Sequence, residues 1–398
     1  MRTGIIANGC VINPGCRQPG ASVVVQGDTV VQVVAAGGAL PGADWIYDAV
    51  GRYVVPGFID IHTHGAAGYD ITDESPEAVS AVARAKLAEG VTRFCPTTLT
   101  LSEKRLAATM RRIAAYREDA RFSQVVGVHL EGPFINPSCL GAQNPAHVRP
   151  PDLAEVLRLH AISPVTQVTF AVEMDGGVAF AAALREHGII PACGHSRCGC
   201  KQFQKAYAAG LRHLAHYCNQ MSPLHHRDIG LVGAGLLYPD VTLELICDTV
   251  HVCPEMLALI FAHKPRESLL LITDSIRASH LPDGPSSLGG LDVVVRDGEA
   301  RLVQTGALAG STLRMNVALR QAARISGLPL EAVIGMTAHN QANELGLASR
   351  FGRLAPGCAA DAVVLDPETC DVEAVYVDGE QRFPLTGTGV NRSMPPRA

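Results

Sequence analysis

From about residue 57 to 354 the chain alternates short apolar runs with Ala/Leu-rich amphipathic segments, among them Pro76 to Glu89, Leu153 to His160, Val178 to His187 and Met315 to Ile325. Strand followed by helix, repeated over most of the chain, predicts a parallel α/β fold. The length of this region favours a (β/α)8 TIM barrel, whose usual size is about 250 residues, over an open doubly wound sheet. No Gly-x-Gly-x-x-Gly opens an early helix, which weighs against dinucleotide binding. The two ends read differently. Ser22 to Val25 and Thr29 to Val34 are β-branched runs separated by the two-residue turn Gly27-Asp28, and Asp361 to Asp366 and Val372 to Gly379 share that character. They predict a small β-sandwich built from both termini, 1–56 with 355–398, and a barrel over 57–354.

Composition narrows the class of ligand. Apolar residues make up 47% and charged ones 18% of the 398 residues, as in a globular protein with one large core. A net charge of −5 without a Lys/Arg run excludes electrostatic support for a nucleic-acid or anionic-membrane partner, leaving a small molecule. Residues 1–20 lack a basic segment followed by a long apolar one, and no apolar run reaches the roughly 18 residues of a membrane span, so a cytoplasmic location is expected. The 12 cysteines are scattered. Their nearest cluster, Cys193, Cys198 and Cys200, has no matching pair of zinc-ribbon type, so reduced structural thiols are expected.

Chemistry is expected where ionisable residues follow the apolar runs, because a barrel carries its active site at the C-terminal ends of its strands. Five places qualify. Phe58 to His64 places His62 and His64 on one face of a strand. Glu131 follows Val125 to Leu130 and precedes Gly132-Pro133, His195 follows Ile189 to Gly194, His216 follows Leu211 to Ala215, and Asp274 follows Leu269 to Thr273. Any one of these could be a hydrogen-bonded structural residue or a helix cap. Together they form an N/O ligand set for a borderline divalent metal, zinc first, with iron, manganese or cobalt as alternatives and one or two ions per subunit.

These residues and their context resemble the amidohydrolase superfamily, and within it the N-acetylglucosamine-6-phosphate deacetylase family. The matching stretches are PGFIDIHTHG (56–65), HLEGPFINP (129–137), GHS (194–196), NQMSPLHHRDIGLVGAGL (219–236), LITDSIRASHLPDG (271–284), LAGSTLRMN (308–316) and GRLAPGCAADAVVLD (352–366). The resemblance implies that Glu131, His195 and His216 bind the metal common to the family. It implies that His62 and His64 support a second metal and that Asp274 is the catalytic acid/base. Asn219, Gln220, His226 or Arg227, and His251 then lie in the segments that hold the sugar phosphate, with Arg227 reaching the neighbouring subunit of a homodimer. The implied reaction is hydrolysis of N-acetylglucosamine 6-phosphate to glucosamine 6-phosphate and acetate.

Three positions depart from the family pattern. Gln143 stands where a histidine usually helps polarise the substrate carbonyl, Gln220 replaces an alanine, and Thr249 replaces a glycine before His251. These changes surround substrate rather than metal. They keep open another N-acyl amino sugar, either N-acetylgalactosamine 6-phosphate or an unphosphorylated compound. A cyclic-amide hydrolase of dihydropyrimidinase type, a deaminase, or a scaffold that has lost its chemistry are the rivals, the last disfavoured by the complete ligand set. Adjacent His225 and His226 read as loop-packing or phosphate-side residues rather than metal ligands, and Gly310-Ser311-Thr312 mainly as a Ser N-cap of a helix starting at Leu313.

Overall fold

The computed structural model describes residues 1–385. Its central element is a curled parallel sheet with helices between successive strands. We number the strands β1 (Phe58–Thr63), β2 (Val91–Pro96), β3 (Val128–Glu131), β4 (Val165–Phe170), β5 (Ile190–Cys193), β6 (His213–Leu214), β7 (Thr242–Ile246) and β8 (Leu269–Ile272). Strands β3 to β8 hydrogen-bond in chain order, and β1 pairs with β2. Two seams link these groups. A single bridge, Thr97 to His129, follows β2, and the amide of Asp274 donates to the His62 carbonyl at 2.9 Å, tying the end of β8 to the end of β1.

Parallel strands covered on both faces need continuous apolar sequence, and the buried run Leu269-Leu270-Leu271-Ile272 meets that need. Most of the helices bury one face, whereas Gly230–Leu237 is buried all round over its first six residues. Leu153–His160 packs Val156 and Leu159 inward and starts on Asp152, whose side chain accepts from the amides of Ala154 and Glu155. The helix expected from Leu313 instead begins at Met315. Ser311 does accept from the Leu313 amide, but its hydroxyl also donates to the Thr273 carbonyl, so it anchors the preceding loop to β8 rather than capping the helix.

Both termini enter one eight-stranded sheet, in which Tyr53–Pro56 and Ala362–Leu365 pair antiparallel through Val54 with Val364 and Val55 with Val363. Thr3–Asn13 changes neighbours along its length, pairing first with Trp45–Asp48 and then with Tyr53–Pro56. The sheet thus forks around a separate core that includes Ile6, Val11, Val23 and Val364. The turn at Gly27-Asp28 joins Gln26 to Thr29 as expected. Residues 386–398 of the C-terminal unit expected from sequence lie outside the described residues.

Sequence analysis did not anticipate the antiparallel sheet Gly284–Leu288, Leu291–Arg296 and Glu299–Leu302, inserted after β8. Its signal was present: Asp297-Gly298 has both φ angles positive, +52° and +77°, the requirement of a tight hairpin turn between alternating strands. All cysteines are free thiols. No helix among the described residues is long and apolar enough to cross a membrane.

Candidate active site

The polar residues expected at the strand ends converge. Beyond β1, His62 Nε2 lies 3.3 Å from Glu131 Oε1 and 3.5 Å from Asp274 Oδ1, and His64 Nε2 lies 3.3 Å from Glu131 Oε2 and 3.2 Å from Asp274 Oδ1. His195 Nε2 and His216 Nε2 approach Glu131 Oε1 at 3.4 and 3.0 Å. Glu131 therefore sits between two histidine pairs, one oxygen towards His195 and His216 and the other towards His64. All six side chains are buried. The backbone is held in the left-handed region at His195, His216 and Asp274, with φ of +48°, +32° and +49°. Such conformations cost of order 1–3 kcal/mol each and persist only where the surroundings enforce them.

Outer partners aim the rings. His62 Nδ1 is 2.8 Å from Glu244 Oε2, His195 Nδ1 is 2.7 Å from the Cys139 carbonyl, and His64 Nδ1 is 3.3 Å from the Thr97 carbonyl. A ring that donates from Nδ1 presents the lone pair of Nε2 inward, as metal-binding histidines do. His62 Nε2 and both ring nitrogens of His216 are buried without a hydrogen-bond partner among the described residues. The short separation from His216 Nε2 to Glu131 is thus a crowding of two lone-pair-bearing atoms rather than a hydrogen bond. The sets His62, His64, Glu131 and Glu131, His195, His216 each bring one ligand atom per residue within 4.8 Å of one another. Nitrogen and carboxylate donors crowded without pairing fit a divalent cation.

Electrostatics agree with that reading. Burial alone would raise the Glu131 carboxyl, but its contacts with His195 and His216 and the charge of His62 hold it well below the usual range. Burial likewise opposes charge on His64, yet Asp274 and Glu131 push it up to about 10. Asp274 is lowered by His62 and His64 against its own burial.

A cavity of about 320 Å³ opens onto this cluster, within the range of small-ligand sites. Asn219, Gln220 and His251 line it. His251 donates through Nδ1 to Asp248 at 2.6 Å, and despite burial this partner raises its pKa. Gln143 also lines the cavity, but its Oε1 accepts from the Thr100 amide and its Nε2 donates to Glu131 Oε2 at 2.5 Å. Its amide thus orients Glu131 as well as facing the cavity. Arg227 does not line the cavity; it is exposed, with its guanidinium 2.8 Å from His226 Nε2. A larger cavity of about 970 Å³ against the terminal sheet is lined by aromatic and acidic residues without histidine, and offers no comparable ligand set.

Two contributors escaped sequence reasoning. Glu244, a lone charge in the apolar run Thr242–Ile246, accepts from His62, from Gln167 at 2.8 Å and from the His216 amide at 3.0 Å. That charge in a buried strand was a legible signal. Arg301 lines the cavity from the inserted antiparallel sheet.

Comparison with known proteins agrees with this geometry. Residues 53–388 match the model of the amidohydrolase family. The chain is 34% identical to an N-acetylglucosamine-6-phosphate deacetylase of Lysinibacillus sphaericus over 91% of this chain and 93% of the relative. It is 35% identical to an N-acetylgalactosamine-6-phosphate deacetylase of Escherichia coli O157:H7 over 82% and 86%. Among solved structures, an aspartate-to-alanine mutant of N-acetyl-D-glucosamine-6-phosphate deacetylase from Mycobacterium smegmatis, in complex with N-acetyl-D-glucosamine 6-phosphate, superposes with a TM-score of 0.89 at 31% identity, covering 96% of this chain and 99% of that one.

Proposed function

The chain belongs to the amidohydrolase family, and from that premise we propose that it is a metal-dependent deacetylase of an amino-sugar phosphate, hydrolysing N-acetylglucosamine 6-phosphate to glucosamine 6-phosphate and acetate. The observation that carries the proposal is the convergence of four histidines, Glu131 and Asp274 at the floor of one cavity. The architecture we propose is a (β/α)8 barrel over 57–354 with a small β-sandwich of 1–56 and 355–398. The pairing at β8 and β1 and the forked terminal sheet support it.

Glu131, His195 and His216 would hold one divalent ion, zinc by the softness of this N/O set, and His62 and His64 with Glu131 a second. When bound, such an ion lowers the pKa of water from 15.7 towards about 7 and polarises an acyl carbonyl. Asp274 performs the proton transfers. Its carboxylate takes a proton from the attacking water as the new C–O bond forms at the acyl carbon, then gives it to the amide nitrogen as the C–N bond breaks. The amine leaves protonated enough to depart, and the acyl group leaves as acetate. The amide of Asp274, bonded to the His62 carbonyl, and its carbonyl, accepting from the Ser311 amide at 2.8 Å, fix the backbone from which the carboxylate projects.

Asn219, Gln220 and His251 are proposed to hold the sugar phosphate, and Gln143 to face the acyl group while steadying Glu131. Arg227, too exposed to serve its own cavity, is proposed to serve the site of a second copy in a homodimer. A specific alternative is the galactosamine epimer, since the E. coli O157:H7 relative is as similar as the others. An amine-release assay over N-acetylglucosamine and N-acetylgalactosamine, each with and without the 6-phosphate, tests both readings. Hydrolysis of the phosphorylated glucosamine derivative is expected to lead; hydrolysis of dihydrouracil alone would overturn the proposal.

A further inference from the structure

Among the described residues, Arg301 is the one Lys or Arg that lines the cavity above Asp274. It belongs to Glu299–Leu302, the last strand of the inserted antiparallel sheet. That strand folds back on the loop behind it: the Leu302 amide donates to the Ala307 carbonyl at 2.8 Å, and Arg301 bridges Leu308. Ala307 and Leu308 line the same cavity, so one local register sets both the cavity wall and the origin of the Arg301 side chain.

The guanidinium is held rather than free. Nε and Nη2 donate to Glu299 Oε2 at 3.1 and 2.8 Å, and Nη1 donates to the Gly306 carbonyl at 3.0 Å. A guanidinium has five N–H donors, so one on each terminal nitrogen is left for a ligand. Arg301 is also close enough to His251 to oppose its protonation, and both side chains line the cavity that opens onto the metal-type cluster. A lone surface pair with Glu299 would contribute little and would not require this location.

We propose that Arg301 is a specificity-determining residue that binds the anionic 6-substituent of the substrate from within the same chain. The assignment rests on the deacetylase reading above. It adds a phosphate donor that is independent of Arg227 and of any second subunit. Forked, charge-assisted donation to a phosphate contributes enough to change binding roughly 10- to 100-fold.

Steady-state kinetics on the full chain test it, comparing wild type, Arg301→Gln, Arg301→Lys and Glu299→Gln on N-acetylglucosamine with and without the 6-phosphate. Arg301→Gln is expected to lower the kcat/KM preference for the phosphorylated substrate roughly 10- to 100-fold, chiefly through KM, with Arg301→Lys restoring part of it. Equal losses on both substrates would assign Arg301 to hairpin stability and overturn the proposal, as would an unchanged preference. Inorganic phosphate separates this from failure of the deacetylase reading. If wild type hydrolyses neither sugar, a phosphate-induced rise in Tm that disappears in Arg301→Gln still supports the anion site, and its presence in both proteins, or in neither, rejects it.

Discussion

At Asp274 the proposed acid/base role turns on a single atom. Asparagine keeps the shape of the side chain and tolerates the left-handed backbone at φ +49°, but cannot take up and return a proton. Asp274→Asn is therefore expected to lower kcat by roughly 10²- to 10⁴-fold while metal content, measured by atomic emission, stays at the wild-type level; an unchanged kcat would remove Asp274 from the reaction. Thr249 poses the opposite problem. It is β-branched yet held at φ +68°, a region that costs L-residues roughly 1–2 kcal/mol. Thr249→Gly should raise the unfolding free energy in urea by about 1 kcal/mol, and a fall would mean that its side chain makes up the strain elsewhere. The sequence made Glu131, His195, His216 and Asp274 legible because a charge just after a buried strand has few places to go. The second tie of Gln143, to the Thr100 amide, was not legible, since a contact across about 40 residues of chain leaves no local pattern.

Among the elements, the strands carry more of the site than their ends suggest. Beneath the histidine cluster, Glu244 on β7 accepts from His62 on β1, Gln167 on β4 and His213 on β6, so one carboxylate ties four strands together. His213 also meets Glu344 at 2.9 Å. Its burial opposes charge, but Glu244 and Glu344 together raise its pKa from 6.5 to about 9. A histidine whose folded pKa is raised binds its proton more tightly than the unfolded chain does. The resulting stability is complete below about pH 6.5 and is lost as pH rises through about 9. Urea unfolding at several pH values should show wild type losing on the order of 3 kcal/mol across this window relative to His213→Gln, with parallel profiles ruling out the charged pair. The strand–helix alternation of the central sheet and the Gly27-Asp28 hairpin were readable because burial imposes their periodicities. The sheet 284–302 was passed over because it interrupts the strand–helix rhythm, although its Asp297-Gly298 turn is local and readable.

For the whole molecule, the proposed metal site would work as a clamp. The candidate ligand atoms come from the ends of β1, β3, β5 and β6, and the end of β8 meets the end of β1 through the Asp274 amide to the His62 carbonyl and the His64 and Gly65 amides to the Ser275 carbonyl. A cation shared by these side chains would cross-link strands of the curled sheet beside that seam. Binding to the folded chain alone stabilises it by about 4 kcal/mol when the free ion is 1,000-fold above Kd, so chelation should lower Tm and speed amide hydrogen exchange first at residues 60–64 and 272–275. Uniform exchange across the sheet would show that the clamp is not localised at the seam. The two halves of the site can be separated. Replacing His62 by Gln and His64 by Asn leaves Glu131, His195 and His216 in place, so the double variant should lose at most one metal equivalent and keep measurable deacetylation. Loss of all metal from that variant would mean that Glu131 cannot hold its orientation without His62 and His64 beside it, and that the two ions form one cooperative unit.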